Sequence, residues 1–168
     1  MKPMTGDNAM MDFNAPHIAE FRANLNRLVV ADGAGDVNRS LIVDFRATRG
    51  KVTGIFAGAP LLLLTTTGAK SGKPRTTPVL YTRDGDRYVI LASKAGAPTN
   101  PNWYDNLRAN PRVTVELGSE TFEAVSSVAQ GDEHDRLFAN QAAQLPIYAE
   151  YQQHTTRRIP VVVLERVS

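Results

Sequence analysis

Leu61-Leu-Leu-Leu-Thr-Thr-Thr-Gly-Ala-Lys-Ser-Gly-Lys-Pro-Arg75 is the stretch that decides the fold class. Residues 61–67 are apolar and then β-branched, which reads as a strand. A glycine-rich, cationic turn follows over 68–74, and residues 76–82 read as a second strand. Arg83-Asp-Gly-Asp86 forms a hairpin with Asp84-Gly85 at its tip. Residues 88–92 make a third strand, and 93–100 form a loop rich in Gly, Ala and Pro. A short helix is expected over 101–109, capped by Asn100 and ended by Asn110-Pro111. Residues 113–117 and 121–128 pair about Gly118-Ser119. A helix over 132–144 turns Leu137 and Phe138 inward, 146–153 carries Tyr148 and Tyr151 one turn apart, and 159–167 is a last strand. Strands do not alternate with helices, so a doubly wound sheet fits poorly. The expected fold is mainly β (α+β): a six-stranded antiparallel barrel with two to three inserted short helices.

Upstream the texture is helical. Residues 1–11 read as a loose tail. Ile18, Phe21, Leu25, Leu28 and Val29 recur at spacings of three and four, an amphipathic helix over 14–30. A turn over 31–36 leads to a second helix with Leu41, Ile42 and Phe45 on one face. The two share a pattern: Asp12-Phe-Asn14 with Ile18-Ala-Glu-Phe-Arg-Ala23 recurs as Asp36-Val-Asn38 with Ile42-Val-Asp-Phe-Arg-Ala47, 24 residues on. A local duplication packed on its own domain is the plain reading. A helical arm that covers a ligand or touches a membrane surface is the sharper one.

Composition narrows function. The 168 residues include no cysteine, which removes thiolate nucleophiles, iron–sulfur clusters and Cys-ligated zinc. Nineteen basic against seventeen acidic residues give +2, too little to make nucleic acid the main partner. The longest aliphatic run is four residues, far from the ~20 that a membrane helix needs. The first ten residues lack a secretory core, so a soluble cytoplasmic protein is the default expectation. His17, His134 and His154 are scattered and argue against a metal site. Gly33-Ala-Gly35 follows a segment of helical period and reads as a plain loop. Gly68-Ala-Lys70-Ser71 lacks phosphate-loop spacing, and no G-x-S-x-G elbow occurs.

Two segments keep a chemical signal. The turn from Thr67 to Arg75 carries Lys70, Lys73 and Arg75 beside two glycines. Such a turn suits a phosphate or a polycarboxylate, and equally a solvated hairpin end. Ala92-Ser-Lys-Ala-Gly-Ala97 places small residues and Lys94 at the end of the third strand, where a flat ligand could lie against the backbone. Asn100-Pro-Asn-Trp-Tyr-Asp-Asn-Leu107 then opens a helix, with Trp103 and Asn106 on one face. A lone tryptophan also serves simply as an anchor.

These segments, with Tyr148-Ala-Glu-Tyr151 and Thr156-Arg-Arg-Ile-Pro160, resemble the deazaflavin-dependent nitroreductase family of actinobacteria over about residues 45–167. The resemblance implies a split β-barrel over 48–168, with 1–47 an appendage rather than an independent domain. It implies coenzyme F420 as hydride carrier and a quinone, nitroaromatic or activated enone or lactone as acceptor. Lys70, Ser71 and Arg75, beside Ala69, would hold the phosphate and polyglutamate tail. Thr77, Pro78 and Leu80 would line the deazaflavin; Ser93 and Lys94, with backbone at Ala92 and Ala95, would meet its polar edge. Asn102, Trp103 and Asn106 would border cofactor or acceptor. Tyr148 and Tyr151 would wall the acceptor site, and Ser93, Tyr148 and Tyr151 are the candidate proton donors or relays. Some members carry Asn where this chain has Thr77, and a tyrosine where it has Leu145; the second change removes a hydroxyl near the acceptor and weakens the case for nitroimidazoles.

Two rivals remain: the same barrel using FMN, and a non-catalytic carrier of F420 or a flavin. Four cations, counting Lys94, are more than one phosphate needs, which favours the longer tail. An open space between Trp103 and Tyr148 would favour catalysis over carriage. Barrel edges often pair, which leaves a homodimer open.

Overall fold

A computed structural model describes residues 36–167. The expected helix over 14–30 lies outside the described residues. Helix α1 (Asp36–Thr48) precedes β1 (Leu61–Thr67), β2 (Pro74–Leu80), β3 (Thr82–Asp84) and β4 (Arg87–Leu91). Then come α2 (Asn102–Ala109), β5 (Arg112–Leu117), β6 (Glu120–Val128), α3 (Gly131–Gln144), α4 (Ile147–Gln153) and β7 (Val161–Arg166).

All strand pairs are antiparallel, in the order β2-β1-β5-β6-β7-β4-β3. The two edges, β2 and β3, are separated in the chain by Tyr81 alone. Laid flat, seven strands would hold their edges roughly 28 Å apart, whereas one intervening residue spans about 7 Å. The sheet must therefore roll until its edges meet at Tyr81, which makes it a barrel. The expected strand over 76–82 is thus two strands, and the count is seven rather than six. At the break the Tyr81 N–H leaves the ladder and bonds the Pro60 carbonyl at 3.0 Å.

Rolling also explains why Leu61 to Leu64 are all buried instead of alternating. Leu62 and Leu64 join Ile90, Val113, Val115, Phe122, Ala124 and Val162 in one cluster, with Trp103, Tyr104 and Leu107 of α2. Leu61 and Leu63 join Val89, Leu91, Val161 and Val163 in a second cluster, covered by α1, α3 and α4. A strand buried on both faces reads as a continuous apolar run. The apolar face of α1 is taken up here: Leu41 and Phe45 are buried and Ile42 packs beside them. Among the described residues no helix is long and apolar enough to cross a membrane.

Candidate active site

An open cleft of about 400 Å³, counting its solvent side, lies where β2, the end of β4, the start of α2 and α4 come together. Its walls are Thr77, Pro78, Val79 and Leu80, then Leu91, Ser93 and Lys94, with Pro101, Trp103 and Tyr148 opposite. Thr77, Pro78, Leu80, Ser93, Lys94, Trp103 and Tyr148 thus meet as the sequence implies. Pro78 sits on an edge strand, where its missing N–H is tolerated.

The floor at Ser93 and Lys94 is unusual backbone. Lys94, Ala95 and Gly96 take positive φ in succession (46°, 55° and 78°), closed by bonds from Gly96 N to Ser93 O and from Ala97 N to Lys94 O. Two non-glycine residues in this region carry strain that the surroundings must hold. On one side α4 holds it: a Cβ on Gly96 would stand 2.6 Å from the Tyr151 carbonyl oxygen. On the other side Arg157 holds it. Its Nε donates to Ala97 O (2.9 Å), Nη2 to Ser93 O (2.7 Å), and Nη1 to Ala92 O (3.2 Å) and Asn100 Oδ1 (2.8 Å). None of these partners is a carboxylate, and burial lowers the Arg157 pKa. Asn100 is therefore not the helix cap expected of it. Pro101 occupies that position without a side-chain cap bond.

The β1–β2 turn is closed differently from the sequence reading. Gly68 N bonds Lys73 O, Gly72 N bonds Gly68 O, Lys73 N bonds Ser71 Oγ, and Ala69 N bonds Asn106 Oδ1 at 3.0 Å. These four N–H groups are engaged, so anion binding there falls to side chains. Ser71 Oγ accepts from Lys73 N and keeps its own hydrogen to donate. Lys70, Lys73 and Arg75 are exposed and make no ion pair or side-chain hydrogen bond among the described residues. Arg46, Arg87, Arg112, Arg136, Arg158 and Arg166, by contrast, all pair with carboxylates. Arg75 lies two residues before Thr77 on one face of β2, about 7 Å along the strand, so turn and cleft share one strand.

Other expected site residues stand back from the cleft. Asn106 engages its amide with the turn, Nδ2 donating to Thr66 Oγ1 at 3.2 Å. Ala92 is fully buried, Ala95 packs on the core, and Asn102 is exposed at the start of α2. Tyr151 is buried and meets the Tyr148 ring edge-on at 5.7 Å, backing that ring rather than walling the cleft. Leu145 lies in the core at 1% exposure and does not line the cleft. His134 is buried on α3, its Nε2 against the Ile159 carbonyl at 2.8 Å. Among the described residues no group of three His, Asp or Glu side chains could hold a metal ion.

Tyr148 is the polar group most changed by the fold. Burial pushes its phenol pKa far up, and the nearby Gln141 amide offsets this in part. The hydroxyl stays protonated across the working range, so it can donate a hydrogen bond but not act as a base. The arrangement offers a cleft with one hydroxyl that stays protonated, joined through β2 to a turn whose three cations are unpaired among the described residues.

The family model for F420H(2)-dependent quinone reductases matches residues 37–166. This chain belongs to that family. An F420H(2)-dependent quinone reductase of Mycobacterium tuberculosis is 46% identical over 129 residues, covering 73% of this chain and 85% of that one. Among solved structures, an F420-H2 dependent reductase, FDR-A, superposes with a TM-score of 0.59 at 40% identity over 63% of this chain and 94% of its own. A structure described as a domain-swapped dimer reaches 0.62 at 36% identity, over 76% and 93%. The family's split barrel is the fold derived above.

The sequence assigns no role to Arg157 or to the buried Gln141. Arg157 lies within the Thr156-Arg-Arg-Ile-Pro160 motif, but nothing local marks its partners. Gln141 had a signal: it stands four residues from both Leu137 and Leu145, which puts it on the buried face of α3.

Proposed function

We propose that this protein is an F420H2-dependent reductase that reduces a quinone-class acceptor held between Trp103 and Tyr148. The observation that carries the reading is the union, along β2, of the cleft with a turn bearing three cations that are unpaired among the described residues. That donor set fits F420: a planar ring for the slot and a multiply anionic tail for Lys70, Lys73, Arg75 and Ser71. One phosphate would need fewer cations, so FMN is not favoured, and membership of a family of quinone reductases favours catalysis over mere carriage.

When bound, the reduced deazaflavin supplies a hydride. The chain's own residues bind, orient and exclude water. Thr77, Pro78 and Leu80 would hold the ring along β2, and Ser93 and Lys94 on the strained turn would meet its polar edge. Trp103 and Leu91 dry the slot, which strengthens any hydrogen bond within it. Tyr148 donates to the oxygen on which negative charge develops as the acceptor is reduced. Ser93 is a second donor, and solvent completes the protonation.

Nitroaromatics and activated enones fall within the same acceptor class, having an electron-poor centre beside an oxygen that takes charge. Residues 48–168 form the cofactor-binding unit, with 1–47 appended. Homodimerisation through a barrel edge, a cytoplasmic setting and membrane contact through the segment before α1 belong to the same proposal.

The test is equilibrium dialysis against F420 and, separately, FMN, followed by F420H2 oxidation with a naphthoquinone. Retention of F420 with quinone-dependent oxidation is expected. Retention of FMN alone would overturn the reading.

A further inference from the structure

Gln152, on α4, bonds the segment that leads into β7 at two points. Its Nε2 donates to the Arg157 carbonyl oxygen at 2.8 Å, and its Oε1 accepts from Ile159 N at 3.0 Å. A carbonyl can only accept and a backbone N–H can only donate, so these partners fix which way the amide points. The same segment is held from its other side. His134 Nε2 lies 2.8 Å from Ile159 O, and Ala92 N, just past β4, bonds Pro160 O at 3.0 Å. The Arg157 backbone is thus anchored to α4, while its guanidinium spans Ala92, Ser93, Ala97 and Asn100. The circuit closes on α4 itself, because Gly96 sits against the Tyr151 carbonyl with no room for a Cβ. Tyr148 stands one turn before Gln152 on the same face of α4. Tyr148 and Ser93 both line the cleft.

We propose that Gln152 is a positioning residue that locks α4, with Tyr148, to the strained turn, with Ser93, by way of the Arg157 fork. An arginine side chain has several rotatable bonds, so its fork is aimed only as well as its backbone is held. Gln152 holds that backbone with both ends of one amide, which neither a carboxylate nor an apolar side chain of the same length can do. The two hydroxyls of the cleft lie on different elements, and this lock keeps them at one spacing. The inference rests on the proposed reduction in this cleft and names the residue that holds its two donors in place.

The first test needs no cofactor. The Gly96 and Ala97 amides close the turn onto Ser93 O and Lys94 O, so their hydrogen exchange reports whether the turn is held. In Gln152→Met both should exchange about fivefold faster, with the amides of β1 at wild-type rates. In an Arg157→Lys background the same change should add nothing, because the fork is already lost. Equal acceleration in the turn and in β1 would mean that Gln152 only supports the fold. An equal increment in the Arg157→Lys background would mean that it does not act through Arg157. Either result overturns the proposal. Gln152→Glu guards against a variant that merely unfolds, since at neutral pH it keeps the acceptor for Ile159 N and loses only the donor to Arg157 O. It should loosen the turn as Gln152→Met does, and wild-type exchange in it would sink the idea. The second test is F420 dialysis on the same proteins. Gln152→Met should bind about fivefold more weakly than wild type, and Gln152→Met/Arg157→Lys no more weakly than Arg157→Lys alone. Unchanged affinity in Gln152→Met would overturn the proposal. If wild-type protein neither retains F420 nor oxidises F420H2 with a quinone, the cleft reading falls first and takes the proposal with it; where wild type does both, the variants decide.

Discussion

Arg157 Nη2 donates to the Ser93 carbonyl oxygen at 2.7 Å, bringing the segment before β7 onto the floor of the cleft. The same guanidinium reaches Ala92, Ala97 and Asn100, so one side chain holds both ends of the strained turn. Arg157→Lys keeps the charge but loses the planar fork that spans these acceptors. It should weaken F420 binding about tenfold, and Arg157→Ala should also cost about 2 kcal/mol of stability. Dialysis and chemical denaturation separate the two effects. Wild-type cofactor affinity in Arg157→Lys would show that the fork is not needed.

Gly96→Ala tests the other clamp. Its φ of 78° is strained for alanine, and the added Cβ would meet the Tyr151 carbonyl at 2.6 Å. Backbone cannot give way as a side chain tip can, so α4 must shift, carrying Tyr148 with it. The expected outcome is a loss of about 2 kcal/mol and a raised KM for the acceptor, since Tyr148 no longer faces it squarely. Thermal melting and quinone kinetics on the same preparation check this.

Among the described residues Lys70, Lys73 and Arg75 have no partners to lose. Lys70→Glu and Arg75→Glu should leave thermal stability within about 0.5 kcal/mol, as surface changes do, while weakening F420 binding more than tenfold. Binding of F420 to wild-type protein should also fall as salt rises, because the pairs are screened. Affinity independent of salt would place the anionic tail elsewhere.

Asn106 ties α2 to the β1–β2 turn through Ala69 N and Thr66 Oγ1. Asn106→Asp keeps the acceptor for Ala69 and loses the donor to Thr66. Asn106→Ala loses both and frees the turn. Cofactor affinity should therefore rank wild type, then Asp, then Ala, with the last about fivefold to tenfold weaker. Equal affinities would show that the turn is held without Asn106.

Much of this architecture was legible along the chain, and what was missed shares one cause. The run at Leu61 and the pair Tyr148 and Tyr151 are local signals that land where the spacing predicts, and the hairpin lands one residue on, turning at Gly85-Asp86 between the paired Asp84 and Arg87. The break at Tyr81 is a change of partner strand, which no period of two reveals. Asn100 obeyed the local rule for a helix cap, but Arg157, 57 residues away, offered its amide a charged donor instead. The glycines of the 68–74 turn suit an anion, yet the turn itself engages the Gly68 and Gly72 N–H groups, and Asn106 engages that of Ala69. Long-range polar contacts overrode local propensity at the cleft, where the fold is most constrained.

Asp84, at the far end of the β3–β4 hairpin, gives the pH dependence. Hydrogen bonds from Arg136 and Arg87 hold its carboxyl down at about 2. In the unfolded chain the group titrates at about 3.9. A depressed folded value means that the folded state binds the proton less readily than the unfolded state. The contribution is present in full above about 4 and is lost as pH falls towards 2. Asp84 is about a quarter exposed, so solvent screens part of the gain. Denaturation midpoints of wild-type protein should fall between pH 5 and pH 2, and Asp84→Asn should show a shallower fall from a lower starting point. Asp84 sits at the tip of the hairpin, at the opposite end of β4 from the cleft residue Leu91, so F420 affinity at neutral pH should be unchanged in Asp84→Asn. A wild-type and a variant profile that run parallel through the acid range would assign the acid sensitivity to other carboxylates.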